Sequence, residues 1–328
     1  MDSLEGKVLL VTGGTGSFGR ELTEMVLKKH QPSALRVFSR DEVKQLEMRR
    51  WLSDPRLRFL IGDVRDKGRL DRAMRGVDIV VHAAALKQVP VAEYNPMEAI
   101  KTNIMGAANV IDTAIDNNVE KVVFVSTDKA VHPVNLYGAT KLVAEKLFIQ
   151  ANAYAGRERT RFSCVRYGNV VGSRGSVISL FGEGRKNGVI RITDERMTRF
   201  WITLRQVARF VIDSIRQMIG GEIFVPKIPS MRLVDIAHTI APEAQWEVIG
   251  VRPGEKLDEI LITREEAPRT KEFKTYYVIE PQHPFWNPVH VKGGTPVPEE
   301  FEYRSDTNTW WLRQEDMASY LQTLMDEP

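Results

Sequence analysis

A glycine-rich turn near the start of the chain constrains its fold more than any other feature. The apolar run Val8-Leu9-Leu10-Val11-Thr12 leads straight into Gly13-Gly14-Thr15-Gly16-Ser17-Phe18-Gly19, with Gly13, Gly16 and Gly19 at every third position. A strand that ends in such a turn and reopens as a helix brings backbone N–H groups, unobstructed by Cβ atoms, to the positive end of a helix dipole. That arrangement suits the pyrophosphate of a dinucleotide, cradled by Gly13, Thr15, Gly16, Ser17, Phe18 and Gly19. Glycines alone are a weak signal. The strand before them and the helical pattern after them supply the context the motif needs.

The strand–helix rhythm continues. Residues 7–12, 35–38, 57–61, 79–82, 121–126 and 162–166 are rich in Val, Ile, Leu and Phe and end abruptly, as buried parallel strands do. Helical patterns at 17–29, 41–51, 96–117 and 136–154 lie between them. The alternation predicts an α/β fold with a Rossmann-type, doubly wound parallel sheet. After about Gly172, Gly, Arg and Pro become frequent, and helical stretches such as 204–219 and 233–240 are separated by loops. The expectation is a dinucleotide-binding domain over 1–172, to which later segments return, and a smaller C-terminal α/β substrate lobe over 173–328. Pro281, Pro284, Pro288, Pro296 and Pro298 mark an irregular surface strap.

Composition narrows the class. A chain of 328 residues, 43% hydrophobic and 27% charged, can bury a sizeable core. The single cysteine, Cys164, forms no internal disulfide and sits in an apolar stretch, so it reads as a core residue of a protein in a reducing cytosol. The opening Met1-Asp2-Ser3-Leu4-Glu5 lacks the basic and apolar regions of a signal peptide, and no apolar run approaches the ~18–20 residues needed to cross a bilayer. A soluble, cytoplasmic protein is expected. A net charge of +3, without blocks of like charge, gives no reason to invoke nucleic acid, and no metal-ligand pattern stands out.

The position about 20 residues beyond the glycines discriminates between dinucleotides. It falls on Ser39, and neither Ser39 nor Arg40 is a carboxylate able to hold a ribose 2′-hydroxyl. Ser39, Arg40 and Lys44 offer donors and positive charge, which favours NADP through its 2′-phosphate. Asp63 and Val64 are expected near the adenine, and Ala83-Ala84-Ala85 lets the backbone run close to the cofactor.

Tyr137-Gly138-Ala139-Thr140-Lys141 puts a phenol and an ammonium on one helical face. A tyrosine with a pKa of ~10 is a poor base at neutral pH, and a nearby ammonium together with a cationic nicotinamide would favour the phenolate. Thr127, at the end of the preceding strand, can bridge a substrate hydroxyl to Tyr137. The pair Asp128-Lys129 is informative. It follows Thr127 directly and adds a further acid and a further base to the tyrosine and lysine.

These residues resemble the short-chain dehydrogenase/reductase superfamily and, within it, the inverting UDP-N-acetylglucosamine 4,6-dehydratases that begin pseudaminic acid biosynthesis. The resemblance runs through Thr12–Gly19, residues 39–45, 85–90, 126–131 and 166–175, and on into residues 196–201 and 252–256, thinning out beyond Ile262. His132 departs from it, standing where that family more often has a small residue or Asn. The family that inverts C5 carries Asp-Lys where retaining sugar dehydratases carry Asp-Glu. The resemblance implies that Tyr137 takes the C4 hydroxyl proton, Lys141 holds the ribose, Lys129 removes the C5 proton and Asp128 protonates the C6 oxygen. Lys129 must then be neutral, a state that burial and Lys141 would promote. Val170 is implied as a further cofactor contact. Lys87, Asn169, Arg174, Arg199, Arg252 and Glu255 are the substrate-side candidates, with Asn169 at the diphosphate, Arg252 at a phosphate and Glu255 at the nucleoside. Similar enzymes oligomerise, so a homo-oligomer, dimer or hexamer, is expected, with residues 100–114 as a pairing face. A C4 or C5 epimerase, or a non-catalytic NADP-binding regulator, is the alternative.

Overall fold

The computed structural model describes residues 4–156, 160–172, 181, 188–282 and 291–325. Its first six strands are β1 (Val8–Thr12), β2 (Ala34–Ser39), β3 (Leu57–Ile61), β4 (Ile79–His82), β5 (Lys121–Val125) and β6 (Arg161–Val165). They lie parallel in the order β6-β5-β4-β1-β2-β3, the doubly wound order of a dinucleotide-binding sheet. The order reverses at β1 and β4, which opens a crevice at their carboxyl ends where the glycine turn sits.

The second half of the chain extends this sheet. Ile223–Pro226 joins β6 in parallel, Tyr276–Ile279 then pairs antiparallel with it, and Thr270–Glu272 and Thr295–Pro296 complete ten strands. The helices Ser17–Lys29 and Leu204–Gln217 pack on each other beside the sheet. Val207, Val211, Ile212 and Ile215 bury one side of the latter, each worth roughly 1.5–3 kcal/mol of gross apolar transfer. A second apolar cluster, around Ile190, Ile192, Met197, Trp201, Met231 and Ile236, lies under the three-stranded sheet Ser230–Arg232, Thr198–Thr203, Asn169–Val171. Cys164 is buried in the main core. Part of the proline-rich stretch, residues 283–290, lies outside the described residues.

The single helix expected over 96–117 is broken. Pro96–Ile100 and Gly106–Asp116 are α-helical, but Lys101–Met105 widens into a π-turn. The reason is Asn103, buried in that turn. Its Oδ1 accepts from Leu86 N at 2.8 Å, and its Nδ2 donates to Leu86 O and Thr140 Oγ1, both at 2.9 Å. The extra residue in the turn aims Asn103 at buried backbone that would otherwise lack partners, and π-turns often mark functional sites for this reason.

Candidate active site

A cleft of about 1640 Å³ opens at the carboxyl ends of β1 and β4 and runs towards the second apolar cluster. At its inner end Gly13 has φ +68°, and a Cβ there would lie 2.8 Å from Ala84 N. A Cβ on Gly19 would meet Gly14 Cα at 2.5 Å, so the helix start can approach the strand only as glycine. The helix Ser17–Lys29 starts at Gly16 with no side-chain cap, leaving its first N–H groups for an anion. This cradle fits a dinucleotide pyrophosphate. Thr15, Ser17, Phe18, Val64, Ala83, Ala85 and Val170 line the same cleft.

The ribose end carries its own carboxylates. Arg40 Nη1 lies 3.6 Å from Asp63 Oδ2, and Lys44 Nζ lies 2.6 Å from Asp41 Oδ2. Ser39 is buried, and its Oγ accepts from Gln45 Nε2 at 2.9 Å. Asp63 also takes Arg65 at 2.7 Å, and this pairing holds its carboxyl below the usual range although burial opposes ionisation. Arg40 and Lys44 line the cleft beside Ser39, each already paired with a carboxylate.

At the centre, the helix Leu136–Ala155 carries Tyr137 and Lys141. Asn135 caps it, accepting from Gly138 N at 2.8 Å while its Nδ2 donates to Gly254 O at 2.8 Å. That single side chain ties the helix of Tyr137 and Lys141 to the loop bearing Arg252 and Glu255. Gly138 has no room for a Cβ, because the Lys129 carbonyl oxygen already occupies the space.

The tyrosine–lysine pair differs from the sequence expectation. Lys141 Nζ donates to Val125 O at 2.6 Å and lies 3.8 Å above the centre of the Phe124 ring. Burial pulls Lys141 down to about 7 and pushes Tyr137 up to about 12, because it penalises both charged forms. Lys129 and a hydrogen bond with Thr127 draw the phenol back part of the way, while Asp128 works against them.

Asp128 lies beneath the cleft wall with no exposure. Its Oδ1 accepts from Thr127 Oγ1 at 2.8 Å and from Lys129 Nζ at 3.1 Å, while Oδ2 has no hydrogen-bond partner among the described residues. Burial raises its pKa, the charge of Glu259 adds to this, and Lys129 opposes it. Lys129 is 27% exposed along its side chain, but its ammonium is enclosed by acceptors. They are Asp128 Oδ1, Asn169 Oδ1 at 3.3 Å and Glu259 Oε1 at 3.4 Å. The expectation that burial and Lys141 bring Lys129 to the neutral form a base needs is corrected. Burial does favour the amine, but the two carboxylates outweigh it and raise the pKa above the ordinary lysine range. Lys141, turned towards Val125, is not among the causes.

The substrate-side candidates divide. Lys87, Asn169, Arg199, Arg252 and Glu255 line the cleft, whereas Arg174 lies outside the described residues. Asn169 faces Lys129. Arg199 is buried and spends its Nη donors on the carbonyls of Thr198, Leu257 and Lys256 at 2.7–3.0 Å. It braces the wall and leaves no Nη free for a phosphate. Arg252 is half exposed, 3.9 Å from Glu255 Oε1, and Glu255 Oε2 is buried without a hydrogen-bond partner among the described residues. Lys87 faces the open cleft, yet desolvation and the Lys129 cation lower its pKa. Sequence reasoning missed Glu259, Lys256 and Asn103. The signal for the first two was their three-residue spacing just after Arg252–Glu255, which pairs them at 3.2 Å.

The family model described as "Polysaccharide biosynthesis protein" matches residues 9–281. The chain is 51% identical over 326 residues to a UDP-N-acetylglucosamine 4,6-dehydratase (inverting) of Campylobacter jejuni, covering 96% of this chain and 97% of that protein. It is also 42% identical to a UDP-glucose 4-epimerase of Rickettsia conorii, over 97% of this chain and 96% of that one. The X-ray structure of Pen from Bacillus thuringiensis superposes with a TM-score of 0.91 at 38% identity, covering 98% of this chain and 99% of that chain. The chain thus belongs to the polysaccharide biosynthesis protein family, on a Rossmann-type short-chain dehydrogenase/reductase fold.

Proposed function

We propose that this protein is a C5-inverting UDP-N-acetylglucosamine 4,6-dehydratase using NADP. It would release water and form UDP-2-acetamido-2,6-dideoxy-β-L-arabino-hex-4-ulose, a product of the kind that begins pseudaminic acid biosynthesis. The observation that carries the reading is the pair Asp128–Lys129, its carboxylate buried and 3.1 Å from the ammonium, with Thr127 bonded to Asp128 and beside Tyr137. A C4 epimerase would leave this pair without a task, which weighs against that activity despite the epimerase relative.

Held by the glycine turn, Tyr137 and Lys141, a nicotinamide dinucleotide would supply a hydride acceptor for C4 and a hydride donor for C6, with a proton reaching C5 from the opposite face as C6 is reduced. The chain moves the protons. Tyr137 receives the C4 hydroxyl proton, and the buried Lys141 favours the phenolate once its own ammonium turns from Val125 to the ribose. Oxidation at C4 makes the C5 proton acidic. A proton passing from Lys129 Nζ to Asp128 Oδ1 then creates both reagents at once, a neutral amine and a carboxylic acid. The C5–H bond breaks towards Lys129, its electron pair forms the C5–C6 double bond, and the C6–O bond breaks as Asp128 protonates the departing oxygen. The raised pKa of Asp128 suits an acid of this kind.

The preference for NADP is supported by Arg40 and Lys44 and by the absence of a carboxylate at Ser39. Among the described residues no helix is long and apolar enough to cross a membrane, and no group of His, Cys, Asp and Glu is arranged to hold a metal. The free, buried Cys164 suits a cytoplasmic protein, and a homo-oligomer, dimer or hexamer, is supported by Met105, exposed on the expected pairing face, and by exposed Tyr94 and Met97 next to it. Incubation with UDP-N-acetylglucosamine and NMR of the product tests the whole reading. A 4-keto-6-deoxy sugar with inverted C5 is expected, and unchanged or C4-epimerised sugar would overturn it.

A further inference from the structure

Glu259 belongs to none of the motifs that suggested a function, yet it stands at the centre of the charge network. Its carboxylate is 3% exposed, at the wall of the cleft. From behind, it is held by Lys256 Nζ at 3.2 Å and Arg199 Nε at 3.9 Å. Both cations are themselves fixed to backbone, Lys256 through Val131 O at 2.7 Å and Arg199 through three carbonyls. On its other side Oε1 meets Lys129. A carboxylate ringed by cations, held by charge rather than by hydrogen bonds among the described residues, stands where a third group can orient a base and stabilise the cation it becomes.

Lys129 Nζ donates to Asp128 Oδ1 and Asn169 Oδ1, and its third neighbour, Glu259 Oε1, is an ion-pair contact at 3.4 Å. Against the effect of burial, neighbouring cations hold the Glu259 carboxyl below its usual range, so its charge stays beside the amine once Asp128 carries the proton. We propose that Glu259 is the positioning residue of the C5 base, orienting the Lys129 amine and stabilising the ammonium formed when Lys129 takes the C5 proton. The proposal rests on the dehydratase reading and adds a residue to it.

The charged and titratable groups around Lys129 are Asp128, Glu259, Arg199, Lys87 and Tyr137, with Lys256 acting through Glu259. Glu259→Gln keeps the shape and removes one of the two anions, leaving Arg199 and Lys256 uncompensated. In single turnover, reduced nicotinamide should appear as in wild type, while elimination slows by roughly 10- to 100-fold, a fraction of what a general base supplies. The ascending limb of elimination rate against pH should move to lower pH, since the ammonium has lost support, and Glu259→Asp should recover part of the rate. An unchanged elimination rate and pH profile would overturn the proposal. So would parallel loss of oxidation and elimination with an unmoved profile, the mark of a purely structural role. If Glu259→Gln does not fold, the same split is required of Lys256→Gln, which leaves the carboxylate but removes its anchor; no split there counts against the proposal. A wild type that oxidises C4 without ever eliminating water would instead overturn the dehydratase reading.

Discussion

Lys129 Nζ stands 3.1 Å from Asp128 Oδ1, so the two residues proposed as base and acid share one proton at rest. Neither is in its working form until that proton crosses. Lys129→Met keeps the aliphatic stem and deletes the amine, while Asp128→Asn keeps the shape and deletes the acid. Both should still show reduced nicotinamide appearing with substrate, and neither should release 4-keto-6-deoxy product at more than a small fraction of the wild-type rate. General acid–base groups contribute roughly 10²–10⁴-fold, so the loss should be of that order. Product formation by Lys129→Met at an undiminished rate would place the C5 base elsewhere.

Tyr137 fails one step earlier. Its phenol is pushed up to about 12 by burial, so it cannot act as a base without help. Tyr137→Phe keeps the ring in the cleft and removes the oxygen. UDP-N-acetylglucosamine should still bind, as followed by calorimetry, while the absorbance of reduced nicotinamide should no longer develop. Near-native turnover would shift the role to Thr127.

The ribose end gives a third outcome. If Arg40 contacts a 2′-phosphate, Arg40→Ala should weaken NADP binding by about 1.5–3 kcal/mol, the range for a charge-assisted hydrogen bond, and leave NAD nearly untouched. Because Arg40 already leans on Asp63, at 3.6 Å, Asp63→Asn should tighten NADP by freeing the guanidinium. Fluorescence titration of both cofactors against both variants decides it. Equal losses for NAD and NADP would show that Arg40 does not read the phosphate.

Much of the fold was visible in the residues. The runs at 57–61 and 79–82 became β3 and β4 with the same bounds, and the glycine turn fell at the reversal of strand order. β4 is read this well because it is buried along its whole length, so its apolar run suits few other structures; β3, at the sheet edge with Arg58 and Ile61 exposed, was legible from its Leu, Phe and Ile. The π-turn at Lys101–Met105 was not readable, since its cause is a contact between Asn103 and Leu86, which only the folded chain brings together. The charge of Lys129 was hidden for a similar reason. Burial and Asp128 could be anticipated from the chain, but Glu259 is 130 residues away in sequence and 3.4 Å away in space.

His82 yields a prediction about stability alone. Its ring is fully buried, with Phe124 and Phe148 each stacked at 5.7 Å, and Nδ1 is 2.7 Å from Thr12 Oγ1. Nε2 has no hydrogen-bond partner among the described residues. Burial, with a smaller push from Lys141, lowers its pKa from 6.5 to about 3. The folded protein therefore holds a neutral imidazole where the unfolded chain would bind a proton. Above pH 6.5 both states are neutral and the group has no pH effect. As the pH falls from 6.5 towards 3, the unfolded state gains a proton the native state refuses, and stability drops by up to roughly 1.4 kcal/mol per pH unit. His82→Leu removes that proton site. It should be less stable at pH 7.5, having left Thr12 Oγ1 without its ring partner, but should lose less on acidification. Urea unfolding at several values between pH 7.5 and 4.5 measures both effects. Equal slopes for wild type and His82→Leu would mean that other groups carry the acid sensitivity of this fold.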